Sequence, residues 1–125
     1  MSFDLRAFEA GEIEPGCFPH RDHVRMGFEL ARSAPFTEAA DRFSRGLKKL
    51  VARAGTPDKY HDTITVAFMA LIAERVGQSP EQDFAAFEAA NPDLFDRKVL
   101  GRWYDEARLN SPAARRAFVL PDARA

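Results

Sequence analysis

Cysteine is nearly absent from this chain: Cys17 is the only one in 125 residues. A lone thiol excludes an internal disulfide, so the core must hold the fold, and it fits a reducing compartment. Long apolar runs are missing as well. The longest, Val66–Ala73, is well under half of what a membrane-crossing helix needs. The first residues carry acids early and form no apolar block, so no secretory signal, no membrane partner and a cytoplasmic location are expected. Neither sign of charge dominates. Eighteen Lys+Arg against nineteen Asp+Glu leave a net charge of −1, without the basic excess that draws a protein to nucleic acid. There is no Gly-rich phosphate loop, paired-cysteine zinc pattern, Gly-x-Ser-x-Gly elbow or repeat at solenoid spacing. Length argues for one domain, with 1–17 as an N-terminal arm and 118–125 as a C-terminal tail.

Proline, by contrast, is well placed. Thr56-Pro57, Ser79-Pro80, Asn91-Pro92 and Ser111-Pro112 each set a proline one residue after a good N-cap, where its missing N–H has no intrahelical partner to lose. Gln82, three residues after Ser79, completes a capping-box pattern. Thr37 reads as a further cap, and Gly55 and Gly77 as helix C-terminal glycines. Hydrophobic spacing of three and four supports helices over about 21–33 (Val24, Phe28, Ala31) and 38–54 (Phe43, Leu47, Leu50, Val51). The stretch 57–76 has Tyr60, Ile64, Ala67, Phe68 and Leu71 on one side, then turns apolar almost all round, which predicts a central helix. A short helix is expected over 80–90, and one or two over 92–109, broken near Gly101. No segment alternates cleanly. The expected fold is all-α, a compact single-domain bundle of five to seven helices with no sheet. Gly27 and Gly46 lie inside helices, where glycine costs about 1 kcal/mol relative to alanine. Close helix approach accounts for them, and a ligand against the backbone is the alternative.

The three histidines fall in two short segments. His20 and His23 stand three apart at the start of one helix, and His61 stands at the opening of the central one. Residues three or four apart share a helix face, so both helix starts can present imidazoles to one pocket. His20, His23 and His61 are thus candidate metal ligands, in a site suiting Zn, Fe, Ni or Cu with an open coordination position. Asp22, Asp58 and Asp62 are available as ligand, second partner or base. A metal-free reading uses the same place: Tyr60, His61, Thr63 and Thr65, opposite His20 and His23, form a polar pocket for a small polar molecule, an acid or amine. His61 is then acid or base, Tyr60 and Thr65 are its catalytic neighbours, and a threonine hydroxyl fixes the substrate. The plainer alternatives are that His23 packs, that His61 bonds a backbone carbonyl, and that Thr65 bonds back to the carbonyl of His61. Cys17 beside His20 suggests a thiolate–imidazole pair or simple packing. Arg45, Lys49 and Arg53 read as a solvated stripe, and Trp103-Tyr104 as packing rather than a pocket wall.

Three segments carry a resemblance: Phe18-Pro-His20-Arg-Asp-His23-Val24, Lys59-Tyr60-His61-Asp62-Thr63-Ile64-Thr65, and Leu109-Asn-Ser111-Pro112-Ala-Ala-Arg115. They resemble a family of small all-helical bacterial proteins with His-x-x-His and Tyr-His-x-Thr-x-Thr segments, for which no activity is assigned. The resemblance implies only that the two histidine segments belong together. From the residues, the expected function is binding of a transition metal, a small polar metabolite or both, with catalysis by His61 as an extension. A non-catalytic accessory or partner-binding protein with structural histidines is the alternative from another class, with a homodimer as a further expected form.

Overall fold

A computed structural model describes residues 4–123. Residues 1–3 and 124–125, the outer ends of the expected arm and tail, lie outside the described residues. The chain is all-helical, with no strand among the described residues. Among the described residues seven α-helices run in order: α1 (Leu5–Ala10), α2 (His20–Ser33), α3 (Phe36–Arg53), α4 (Asp62–Gln78), α5 (Phe84–Ala90), α6 (Glu106–Leu109) and α7 (Pro112–Arg116). Four 3₁₀ turns join them, at Pro15–Cys17, Pro57–Lys59, Pro92–Phe95 and Val99–Arg102. No helix among the described residues is long and apolar enough to cross a membrane.

The centre is α4, as its all-round apolar character demands. It packs against α2 on one side, α3 on another and α7 beyond, burying Phe68, Met69, Leu71, Ile72 and Val76. One side stays open to solvent, however. Ile64, expected on the buried stripe, is 41% exposed. A second aromatic cluster forms where α5 docks: Phe28 of α2 meets Phe84 at 5.3 Å and Phe87 at 4.8 Å between ring centroids. The glycine in each long amphipathic helix marks a close approach. A Cβ on Gly27 would lie 2.6 Å from Cδ1 of Ile72, and one on Gly46 would fall inside the ring edge of Phe8. Packing, not a ligand, occupies both positions.

Several local expectations shift by a few residues, each for a visible reason. Pro57 opens only a 3₁₀ turn, and the long helix begins after His61. Ser79-Pro80 forms a turn, with the next helix capped instead by Asp83, whose Oδ1 accepts from the N–H of Ala86 at 2.9 Å. Thr37 lies within α3, behind Pro35 and Phe36, and Gly77 lies within α4. Ser111 caps α7 as its sequence indicates, accepting from the N–H of Ala114 at 3.1 Å. Asn91 does not cap the turn that follows it. Its amide donates to the carbonyl of Phe87 and accepts from Arg75, which also grips Asp93 at 2.7 Å. That paired guanidinium holds the Asp93 carboxyl below the usual carboxylate range.

The N-terminal segment is a docked helix rather than a loose arm. Phe8 of α1 is 1% exposed and fills the space that Gly46 leaves in α3. The basic side of α3 closes over it. Arg42 makes a two-bond pair with Glu9, both at 2.7 Å, and Lys49 donates to the carbonyl of Glu9 at 2.6 Å. Arg53 reaches Glu14 at 2.6 Å and the carbonyl of Gly11. Cations thus meet the carbonyls at the end of α1, which have no intrahelical donors. All three residues of the expected solvated stripe, Arg45, Lys49 and Arg53, are exposed. Arg45 pairs along its own helix with Asp41, while Lys49 and Arg53 also reach the end of α1.

Candidate functional site

A cavity of about 360 Å³ opens between the N-terminal ends of α2 and α4 and the middle of α3. That volume lies at the small end of the range for sites that hold small organic molecules. His20, His23, Tyr60, His61 and Thr65 all stand in its wall. Most of the lining is apolar: Phe18, Phe43, Leu47, Leu50, Val51, Ile64, Phe68 and Leu100. A polar pocket was expected, and the difference comes from α3, whose apolar face supplies one whole wall.

The three imidazoles do not do the same work. His61 is the N-cap of α4: its Nδ1 accepts from the N–H of Ile64 at 3.1 Å, in place of the usual serine or aspartate oxygen. Since Nδ1 accepts, Nε2 carries the proton, and it donates to the carbonyl of Leu109 at 2.7 Å. Both ring nitrogens are therefore committed. His61 has none left for a metal ion or a substrate proton, which corrects its expected role as ligand or acid–base group. His20 acts similarly through one nitrogen, with Nε2 donating to the carbonyl of Leu94 at 3.0 Å. The segment 92–109 is mostly short turns, and such backbone leaves carbonyls that no helix ladder satisfies. Two histidines fasten it to the starts of α2 and α4.

Thr65 and Tyr60 are also engaged. The Thr65 hydroxyl donates to the carbonyl of His61 at 2.8 Å, the back-bond that a threonine inside a helix favours. The Tyr60 hydroxyl donates to Oδ1 of Asp62 at 2.8 Å and accepts from Ser44 Oγ at 2.7 Å. Burial pushes the Tyr60 phenol upward. Thr63, its neighbour in sequence, faces away and pins the tail. Its hydroxyl donates to the carbonyl of Ala117 at 2.9 Å and accepts from the N–H of Val119 at 3.0 Å. Tyr104 is 4% exposed and holds the same strand of tail, through its hydroxyl and the carbonyl of Val119 at 2.8 Å. Cys17 is exposed at the end of its 3₁₀ turn.

His23 is different. No hydrogen bond ties its ring to the described residues, and it sits between Phe18, at 4.5 Å between centroids, and His20, at 6.0 Å. Burial pushes its pKa down to about 4, helped by the positive fields of His20 and Arg97. It is a neutral imidazole facing the cavity at physiological pH. Among the described residues, no group of three or more His, Cys, Asp or Glu side chains is arranged to hold a metal ion. The expected His20, His23, His61 ligand set is thereby corrected: the histidines share a wall, but backbone carbonyls hold His20 through one nitrogen and His61 through both.

Sequence reasoning missed Lys59 and Arg97 as part of this wall. Lys59 opens the segment that holds His61 but has no assigned role there, and Arg97 carries no periodic or motif signal. Each sits at or near a short turn whose position depends on the packing of other elements. It also missed Ser44 and Asp62 as the partners that orient Tyr60. Replacing His61 with asparagine separates its two duties. Asparagine can cap α4 but is too short to reach Leu109, so His61→Asn should lower stability by about 1–2 kcal/mol. Amide exchange should quicken in 92–111 and stay unchanged at the start of α4. Equal protection in both segments would contradict the clamp.

No protein family, curated protein or solved structure matches this chain.

Proposed function

We propose that this chain is a small-molecule-binding protein, with the α2–α3–α4 cavity as its site. The carrying observation is a cavity of about 360 Å³, walled mostly by apolar side chains, onto which the imidazole of His23 faces with no hydrogen-bond partner among the described residues. A few polar groups among apolar walls is the usual make-up of such sites. His61, Tyr60 and Thr65 shape the site through bonds to the fold, and this favours the binding reading over catalysis by His61. The ring of His23 offers one donor and one acceptor to a bound molecule.

A thermal-shift screen against small organic molecules tests the reading. A ligand at 100 times its dissociation constant should add about 2.7 kcal/mol of stability. Ile64 lines the cavity and is 41% exposed, so Ile64→Trp places bulk at the mouth with little demand on the core. Stabilisation that vanishes in Ile64→Trp supports the site. Hits that persist unchanged in that variant bind elsewhere and count against it.

A further inference from the structure

The charges around the cavity narrow the chemistry of its ligand. Lys59, at the end of the Pro57–Lys59 turn, and Arg97, in the link before Val99, both line the cavity. No Asp or Glu is among its lining residues, although the protein as a whole carries a net charge of −1. Several cations elsewhere on the molecule are paired, among them Arg21 with Glu88, Arg42 with Glu9, Arg53 with Glu14 and Arg75 with Asp93. Arg97 and Lys59 make no such pair with the described residues, and both are exposed. Asp62, at the start of α4, accepts from the hydroxyl of Tyr60 and is not among the lining residues. The cavity therefore has a largely apolar interior, a neutral imidazole and two cations that form no ion pair with the described residues.

We propose, resting on the binding reading above, that the ligand is an amphiphilic organic anion whose apolar body lies against Phe43, Leu47, Leu50 and Phe68 and whose acid head meets Arg97 and Lys59. The apolar body supplies most of the affinity, because moving each CH₂ out of water is favourable. The cations supply the choice of head group. Arginine can take a carboxylate or phosphate through two parallel N–H donors, and lysine adds a point charge. His23, uncharged, adds a donor without adding charge.

Four probes with the same eight-carbon body separate the terms: octanoate, octyl phosphate, 1-octanol and octylamine, titrated into the full chain by calorimetry at pH 7.5. The expected result is that at least one anion binds tenfold or more tightly than both octanol and octylamine. The tighter anion identifies the head group. The double variant Lys59→Gln, Arg97→Gln should abolish that preference while leaving octanol affinity within about twofold. Raising the salt concentration should shrink the preference in the wild type, since exposed charges are screened. Octanol or octylamine binding as tightly as both anions would overturn the anion proposal and leave the cavity reading standing. If none of the four binds, the anion proposal fails, and the cavity reading fails with it if the broad screen is also empty.

Discussion

Phe8→Ala is expected to lower the stability of this protein by about 3–5 kcal/mol, as for other fully buried phenylalanines. Phe8 is 1% exposed, stacks on Phe18 with ring planes 11° apart and centroids at 5.5 Å, and leans on Phe43 at 6.0 Å. It also lies against the bare backbone of Gly46. Gly46→Ala in the wild type pushes a methyl into that ring, and such overpacking costs about 1–3 kcal/mol. In the Phe8→Ala background the same methyl enters vacated space, and alanine is the better helix former by about 1 kcal/mol. The second substitution should then be neutral or stabilising. Urea unfolding of both single variants and the double variant closes the cycle. Gly77→Ala, where an added Cβ would meet nothing within 4 Å, is the control and should not destabilise. Costs that simply add for Phe8 and Gly46 would show that α1 is not seated on α3 as described.

The second large effect is acid lability centred on His23. Its pKa is about 4 in the folded protein, against an ordinary value of 6.5. The unfolded chain therefore takes up a proton as pH falls through 6.5, while the folded protein resists until about pH 4. Stability from this group is complete above pH 6.5 and is lost progressively down to about pH 4, a loss on the order of 3 kcal/mol. His20, Lys59, Arg97 and Tyr60 face the same cavity, and none of them is a carboxylate able to stabilise an imidazolium there. His23→Leu removes the titrating group and keeps an apolar side chain beside Phe18. Chemical unfolding at pH 7.5 and pH 4.5 should show a markedly smaller loss for the variant than for the wild type. Equal losses in both proteins would mean that His23 is open to water.

The two effects bear on function together. Seating α1 through Phe8 holds Phe18 and Phe43, both of which line the cavity, so loosening the N-terminal helix should also weaken any ligand bound there. Protonation of His23 would bring a third positive charge to a wall that already has Lys59 and Arg97. An anionic ligand bound there would oppose that strain.

Much of the architecture was legible residue by residue. The periodicity of Val24, Phe28 and Ala31, and of Phe43, Leu47 and Leu50, marks α2 and α3 to within a few residues, because a repeat of three to four is a local property of the helix. The Ser111-Pro112 cap is local in the same sense. The docked helix α1 was not legible, because six residues carry too little periodicity to outweigh the acids and glycine around them. Its contribution comes from Phe8 and from cations of α3 more than thirty positions away.

The candidate site divides along the same line. By itself the sequence determined that this is an all-helical chain and that its imidazoles stand at helix starts, since caps, turns and hydrophobic spacing act over a few residues. Only the tertiary structure decided which imidazole stays free. His61 gives its proton to a carbonyl 48 residues along the chain and His20 to one 74 residues along, whereas His23 meets only rings and open space. A histidine's chemistry depends on what its two nitrogens touch, and those partners are set by how distant segments pack.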